Sequence, residues 1–182
     1  VIFASGSGSN AENIYNQLHK EVEIQCIYCN HPKAGVIERA ERLKIPLVLF
    51  NRSEWIDSQQ IEHQIAELNP DLIVLAGFLW KVPESFVAHF PQKIINIHPA
   101  LLPNYGGKGM YGHHVHEAVI AAKEPKSGIT IHYVNEHYDE GEYIFQAECE
   151  LTSKDTPDSL AQKIHELEFK YFPLTIQKLL NA

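Results

Sequence analysis

An amide and an imidazole lie two residues apart at the end of an apolar run, and this pair is the most informative feature of the sequence. Asn96 and His98 follow Ile94 and Ile95, and Pro99 comes directly after the histidine. Residues two apart in a β-strand point to the same face, so both side chains can reach one small reacting group. Pro99 biases His98 toward an extended backbone, which would hold the imidazole in place. The pair predicts a site that handles a carbonyl group, although a strand end that satisfies its own polar groups has the same spacing.

A run of small residues, Ser-Gly-Ser-Gly-Ser-Asn at positions 5–10, lies between the first predicted strand and the first predicted helix. Small residues let backbone N–H groups approach an anion, and the N-terminus of a helix favours negative charge. The run lacks the lysine of a P-loop and departs from Gly-x-Gly-x-x-Gly, which disfavours a triphosphate or a dinucleotide. It therefore predicts a phosphomonoester site, with a plain tight turn as the alternative.

Two further groups of polar side chains have an open interpretation. Asp139 lies in a predicted turn that can fold over the same strand ends, although turn aspartates often cap their own backbone. His113, His114 and His116 would allow a metal site, but no obvious tetrahedral set is completed nearby. We predict no metal.

Strands alternate with helices along the first hundred residues. Strands are predicted at 1–5, 23–29, 46–50, 71–78 and 94–97, and helices at 11–20, 35–43, 53–68 and 83–89. A helix at 113–123, strands at 128–134 and 142–151, and a helix at 156–180 with its cap near Asp155 or Thr156 complete the prediction. This alternation predicts an α/β fold with a doubly wound, mostly parallel sheet and helices on both faces.

Length and charge limit the possible functions. With 182 residues and 45% hydrophobic composition, the chain is expected to form a single domain over 1–182. A formal net charge of -8 argues against a nucleic-acid or membrane-surface binder, which would need a basic face. Three cysteines, with Cys26-x-x-Cys29 inside a predicted strand, favour reduced thiols over a disulfide framework or a redox pair. No signal peptide or apolar stretch of about 20 residues is visible, so we expect a cytoplasmic protein.

Four segments together resemble one enzyme family. They are the run at 5–10, Leu-Ala-Gly-Phe at 75–78, Asn-Ile-His-Pro-Ala-Leu-Leu-Pro at 96–103 and Asp-Glu-Gly at 139–141. Their order and spacing are similar to those of the folate-dependent formyltransferases, and the opening loop and short length favour the phosphoribosylglycinamide formyltransferases among them. The resemblance extends from Val1 to the final helix and implies a Rossmann-like formyltransferase fold.

The resemblance implies a role for particular residues. The catalytic residues would be Asn96, His98 and Asp139. The ribonucleotide substrate would be bound by Gly8, Ser9, Asn10 and Glu168. The folate would be bound by Leu79, Trp80, Lys81, Val82 and Asn96, with Arg52 near enough to replace an expected arginine.

The implied reaction is transfer of the formyl group of 10-formyltetrahydrofolate, as co-substrate, to the amine of glycinamide ribonucleotide in de novo purine biosynthesis. The amine would attack directly, Asn96 and a protonated His98 would stabilise the oxyanion, and Asp139 would raise the pKa of His98. No metal, nucleic acid or membrane is implied, and the chain would be a monomer or a homodimer. The glycine-rich loop at 104–112 is longer than expected, so its contacts are not transferred.

Three alternatives remain at this stage. Relatives that formylate aminoacyl-tRNA or release formate use the same donor, but they are longer than this chain. A non-catalytic nucleotide-binding module would bind ligand without turnover. A metal-dependent hydrolase built on His113, His114 and His116 would be sensitive to chelators.

Overall fold

The computed structural model describes residues 1–57 and 59–181. Its strands are β1 (Ile2–Ala4), β2 (Ile27–Cys29), β3 (Leu47–Leu49), β4 (Ile73–Leu75), β5 (Ile94–His98), β6 (Lys126–Tyr133) and β7 (Tyr143–Glu150). Its helices are α1 (Ser9–Leu18), α2 (Val36–Leu43), α3 (Arg52–Ile56), α4 (Gln60–Leu68), α5 (Glu84–His89), α6 (His113–Ala121) and α7 (Pro157–Leu180). In the described part of the chain, no helix has both the length and the apolar character needed to cross a membrane.

The strands form one sheet in the order β3-β2-β1-β4-β5-β6-β7. The first five strands of the chain pair in parallel, whereas β6 pairs antiparallel with β5 and β7 antiparallel with β6. The strand order reverses direction at β1, beside β4, as in a doubly wound sheet. The predicted mostly parallel, doubly wound α/β fold is confirmed.

Alternation along the strands divides the core between the two faces of the sheet. In β1, Ile2 and Ala4 pack in a cluster with α1, α2, α6 and α7, whereas Phe3 packs in a second cluster with α3, α4 and α5. Successive side chains of a strand point to opposite faces, so a strand covered on both sides is apolar throughout. Phe3 has no exposed surface and stacks on Tyr28 of β2 at 5.2 Å between ring centroids.

One predicted helix is replaced by two. The prediction of a single helix over 53–68 capped by Ser53 was wrong, because the Asn51 side chain accepts from the backbone N–H of Glu54 and begins α3 at Arg52. Gln59 has φ of 53°, which is incompatible with a continuous helix, and α4 follows it. Ser58, within the predicted helix, lies outside the described residues, as does Ala182 at the end of the predicted domain.

The remaining boundaries differ mainly at strand ends. The predicted strands at 23–29 and 71–78 are reduced to three residues each, since only those residues pair with neighbours. The predicted cap of the last helix is confirmed: the Thr156 hydroxyl accepts from the N–H of Ser159, whose side chain in turn accepts from the N–H of Thr156. This helix packs against α1, α6, β6 and β7 and brings Glu168 to the site described next.

Candidate active site

A cleft of about 750 Å³ opens where the carboxyl ends of β1, β4 and β5 meet. Ligands of open α/β sheets bind at this edge, next to the point where strand order reverses. The cleft is lined by all three predicted catalytic residues and by nearly all of the predicted binding residues. These are Gly8, Ser9, Asn10, Leu79, Trp80, Lys81, Val82, Asn96, His98, Asp139 and Glu168. Arg52 is not among the described lining residues; its guanidinium carbon lies 6.0 Å from the centroid of the Trp80 ring.

Strand pairing adds a histidine that the sequence analysis missed. Asn96 lies directly opposite His132 of β6, and His98 lies opposite Thr130. Side chains of directly opposed residues share a face of the sheet, so His132 enters the cleft beside Asn96. The sequence signal was the pair of polar residues, Thr130 and His132, which alternate with Ile129 and Ile131 in this strand. Alternation alone does not show which strand lies beside β5.

Hydrogen bonds fix the orientation of the Asn96 amide. His132 Nδ1 lies 2.8 Å from the carbonyl oxygen of Tyr133, and since a carbonyl only accepts, Nδ1 carries the proton. With the proton on Nδ1, Nε2 can accept, and it lies 3.2 Å from Asn96 Nδ2. One N–H of the amide therefore binds His132, and the second is available in the cleft for a substrate oxygen.

His98 is buried, with 3% of its surface exposed, and it has polar neighbours at both nitrogens. Nε2 donates to the carbonyl oxygen of Tyr105 at 2.7 Å, and Nδ1 lies 3.6 Å from Asp139 Oδ2. Burial lowers the pKa of His98 below its ordinary 6.5, although Asp139 and the Tyr105 carbonyl favour the charged form. The expectation that Asp139 brings the pKa up to the operating pH was therefore wrong in its net direction, because desolvation outweighs the ion pair.

Asp139 faces the cleft from the turn between β6 and β7. Its Oδ2 accepts from the N–H of Gly107 at 2.9 Å, and its Oδ1 lies 3.6 Å from His132 Nε2. Burial raises the pKa of the carboxyl, but His132 and His98, which are cations when protonated, and the Gly107 N–H together outweigh it and keep the pKa below the usual 3.8. The structure thus places the Asp139 carboxylate between two imidazoles, where it accepts from the N–H of Gly107.

The loop after β1 is held by its carbonyl groups. The carbonyl of Gly6 accepts from the N–H of Val36 at 3.2 Å, and that of Ser7 accepts from Arg39 Nε at 2.8 Å. In a trans peptide the N–H points opposite to the carbonyl, so the following N–H groups point away from α2. α1 begins at Ser9, earlier than predicted, which places Ser9 among the first N–H donors of a helix. This arrangement can receive an anion.

Glu168 is brought to the same end of the cleft. Asn10 Nδ2 donates to Glu168 Oε2 at 2.9 Å, and His165 Nδ1 lies 3.3 Å from the same oxygen. Asn10 Oδ1 is buried and has no hydrogen-bond partner among the described residues. A buried acceptor without a partner is costly, so a ligand donor at this position would be stabilising.

Comparison with known proteins decides the family. A protein-family model described as formyl transferase matches residues 1–176. The chain belongs to the formyl transferase family. The resemblance inferred from the sequence is thereby confirmed, and as a formyl transferase the chain is an enzyme that transfers a one-carbon group.

Named relatives of this formyl transferase agree with one another. A phosphoribosylglycinamide formyltransferase of Bacillus subtilis (strain 168) is 37% identical over 188 residues, covering 100% of this chain and 94% of the relative. A chloroplastic enzyme of the same name from Arabidopsis thaliana is 35% identical over 94% of this chain, which spans only 62% of that relative. The crystal structure of phosphoribosylglycinamide formyltransferase from Bacillus halodurans superposes with a TM-score of 0.88 at 34% identity, covering 98% of this chain and 93% of that one.

An apolar wall closes the cleft of this formyl transferase on the β4 side. Val82 is buried and Trp80 is half-buried, with its ring 5.9 Å from that of Phe50. Leu79 is 51% exposed, and its N–H donates to Ser5 Oγ at 3.0 Å. The apolar wall and the loop after β1 are therefore joined by a hydrogen bond. A flat aromatic ligand could lie against the wall.

The three histidines of α6 lie in different environments. His113 and His114 are exposed and lie 3.8 Å and 3.4 Å from oxygens of Glu117, whereas His116 is buried and lines the cleft. Over residues 1–57 and 59–181, no three His, Cys, Asp or Glu side chains are grouped so that they could hold a metal ion. The helix thus contributes one imidazole, not three, to the cleft.

Gly8→Ala should weaken binding of the phosphorylated substrate. Gly8 has φ of 77°, and a Cβ there would lie 2.5 Å from Val36 Cγ2, so the start of α1 must move. Strain of this kind costs about 1–3 kcal/mol, which corresponds to a KM for the ribonucleotide raised about 5- to 150-fold. Steady-state kinetics would test this against Gly6→Ala, whose added methyl meets nothing within 4 Å. Equal effects of the two substitutions would contradict the role of Gly8.

The formyl transferase should lose stability in mild acid through its buried histidines. Burial lowers the pKa of His116, so the unfolded chain binds a proton first as the pH falls below 6.5. The free energy of unfolding is therefore highest above pH 6.5, and it decreases as the pH falls from 6.5 through the folded-state pKa of His116. Urea midpoints at about pH 7.5 and about pH 5 should differ less in His116→Gln than in the unsubstituted protein. His114→Gln, at an exposed position, is the control, and an undiminished difference in His116→Gln would contradict the prediction.

Proposed function

We propose that the chain is a phosphoribosylglycinamide formyltransferase, which transfers the formyl group of 10-formyltetrahydrofolate to the amine of glycinamide ribonucleotide in purine biosynthesis. The observation that carries the proposal is the convergence of Asn96, His98 and Asp139 on a cleft with an anion-binding loop at one end and an apolar wall along one side. The names of the relatives in Bacillus subtilis and Arabidopsis thaliana support the same substrate.

Each substrate has a part of the cleft suited to its chemistry. The phosphate of the ribonucleotide would bind the N–H groups of Gly8, Ser9 and Asn10, because the first N–H groups of a helix have no intrahelical acceptor and Gly8 supplies no side-chain cap. The Ser9 N–H, which lies 3.4 Å from Ser7 Oγ, would exchange that long contact for the phosphate. Glu168 would accept from the sugar hydroxyls, and the unpartnered Asn10 Oδ1 would accept from a further donor. These contacts leave the amine of the ribonucleotide directed toward Asp139.

The folate would lie along residues 79–82. Its flat ring system would pack against Trp80 and Val82, and the backbone of this segment would supply hydrogen bonds to its heteroatoms. Arg52, near the Trp80 ring, has the charge to meet an anionic tail of the folate. The formyl group would then reach Asn96, which separates the folate wall from the ribonucleotide end.

The substrate amine is itself the nucleophile, so no covalent enzyme intermediate is required. Its attack on the formyl carbon converts the carbonyl oxygen to an oxyanion. The free N–H of Asn96, oriented by His132, would donate to that oxygen, and one such donor is worth about 3 kcal/mol of barrier. The amide is held before the reaction begins, so no reorganisation is needed.

His98 would carry the proton during the reaction rather than before it. The imidazole is neutral near pH 7 because burial lowers its pKa, and its unprotonated Nδ1 faces Asp139. Nδ1 would accept the proton released by the attacking nitrogen, and the Asp139 carboxylate would stabilise the imidazolium formed. The same proton would pass to N10 as the carbon–N10 bond breaks. The positive charge of the imidazolium would also stabilise the oxyanion while both are present.

The setting of the reaction completes the proposal. We place all of these roles within one domain over residues 1–182, since every proposed site residue except Arg52 borders one cleft of one sheet. Cys26, Cys29 and Cys149 are free thiols, which fits a cytoplasmic enzyme. The co-substrate supplies the one-carbon group, and the proposed mechanism assigns no step to a metal.

The experiment that tests the function is formyl transfer followed by absorbance, with 10-formyltetrahydrofolate and glycinamide ribonucleotide in the presence of EDTA. Turnover that depends on the amine is the expected result. Release of formate without the amine would instead indicate a hydrolase of the same family. Folate binding without any turnover would indicate a non-catalytic module, and loss of activity to EDTA would indicate a metal enzyme.

A further inference from the structure

The loop that follows β5 holds two of the proposed catalytic groups through its backbone. The carbonyl of Tyr105 accepts from His98 Nε2 at 2.7 Å, and the N–H of Gly107 donates to Asp139 Oδ2 at 2.9 Å. Only Gly106 separates these two backbone groups. A Cβ at Gly106 would lie 3.3 Å from Asp139 Cβ, so this segment lies directly against the aspartate. Any shift of the segment would move the imidazole and the carboxylate together.

A side-chain contact fixes this segment from outside the cleft. The Tyr105 hydroxyl donates to Glu124 Oε1 at 2.6 Å, a short hydrogen bond to a charged acceptor. Glu124 follows α6 and donates its own N–H to the carbonyl of Val119 at 3.4 Å, so its backbone is tied to the end of that helix. The bond to Glu124 raises the pKa of Tyr105 to about 12, so the hydroxyl remains a donor across the working pH range.

The backbone of Tyr105 needs such a contact. Its φ of 57° lies in the left-handed region, which non-glycine residues occupy only when the surrounding structure holds them there. The hydroxyl bond to Glu124 and the packing of the ring against the core supply that restraint. In this conformation the carbonyl points at His98.

We propose that Tyr105 and Glu124 are positioning residues: their hydrogen bond sets the backbone that keeps His98 in its Nε2–H form, with Nδ1 turned to Asp139. The inference rests on the proposed function, because it assigns which nitrogen of His98 exchanges the proton in formyl transfer. Nε2 is committed to the Tyr105 carbonyl, so Nδ1 is the nitrogen left for that exchange. Neither Tyr105 nor Glu124 touches a substrate; both act through His98 and Asp139.

The test begins with Tyr105→Phe, which keeps the ring and removes the hydroxyl. Loss of position at a reacting group lowers kcat by about 10- to 100-fold, and we expect KM for both substrates to stay within about threefold. Glu124→Ala should reproduce the effect, whereas Glu124→Gln keeps an acceptor oxygen and should retain most of the rate. Tyr15→Phe, on α1 and outside the cleft, is the matched control.

A second readout does not depend on activity. Nitrogen-15 NMR of the histidine rings distinguishes the two neutral tautomers, and the signals of His98 can be assigned by their loss in His98→Gln. The unsubstituted protein should show His98 as the Nε2–H tautomer, and Tyr105→Phe should show a mixture. A change in general stability alone would not alter this ratio.

The outcomes separate this inference from the proposed function. If Tyr105→Phe keeps both kcat and the Nε2–H tautomer, the positioning role is overturned. If the unsubstituted protein transfers no formyl group, the proposed function fails, and the tautomer measurement still decides whether Tyr105 orients His98. Should Tyr105→Phe fail to fold, Glu124→Ala and Glu124→Gln carry the same comparison.

Discussion

Asp139→Asn should lower kcat by about 10³-fold, with KM for both substrates within about threefold. The substitution removes the negative charge that would stabilise protonated His98, and it leaves the proposed substrate contacts in place. An asparagine there keeps an oxygen for the Gly107 N–H, so the loop that now lies 2.9 Å from the carboxylate retains its anchor. What is lost is the negative charge 3.6 Å from His98 Nδ1. The imidazolium formed during the reaction would then be buried without a counter-charge.

The measurement is steady-state kinetics of formyl transfer with each substrate varied in turn. Asp71→Asn is the matched control, since Asp71 is exposed and precedes the amino-terminal end of β4, whereas the cleft lies at the carboxyl ends of the strands. A thermal melt of both variants would show that the fold is retained. Turnover of Asp139→Asn close to that of the unsubstituted protein would remove Asp139 from the mechanism.

The fold could be predicted because its signals are local. Apolar runs such as 94–97 reveal strands, and their alternation with helical periods indicates a parallel sheet whose connections are helices. The start of α3 could have been anticipated from Asn51 and Glu54, which form a capping box two residues before the predicted cap at Ser53. The lengths of several strands were overestimated because the apolar sequence continues beyond the residues that pair with a neighbouring strand.

The site could be predicted only in part. Asn96, His98 and the small residues at 5–10 lie next to strand ends, so their common location follows from the parallel sheet. His132 and Tyr105 depend on contacts that no local pattern contains: the pairing of β6 with β5, and a carbonyl directed by a left-handed tyrosine. The pKa of His98 was misjudged for a related reason, because burial is a property of the folded chain while the aspartate was visible in the sequence.

Asn96→Ala should reduce kcat/KM by about 10²- to 10³-fold, about 3 kcal/mol, because in the proposed mechanism it removes the amide N–H that donates to the developing oxyanion. The substitution also leaves His132 Nε2 without the amide that lies 3.2 Å away, so a moderate loss of stability, about 1 kcal/mol, should accompany it. Asn16→Ala, at an exposed position of α1, controls for the loss of an amide elsewhere.

Asn96→Asp decides whether the donor or merely the shape of the side chain matters. An ionised aspartate keeps the size of asparagine and offers only acceptors, so it would repel the oxyanion and also the Asp139 carboxylate. Formyl transfer by Asn96→Asp should therefore be at least as slow as that by Asn96→Ala, measured as kcat/KM at neutral pH. If the aspartate variant instead retained most of the rate, the amide N–H could not be the source of oxyanion stabilisation. The charge that develops on the formyl oxygen would then have to be met by His98 alone, which is neutral when the reaction starts.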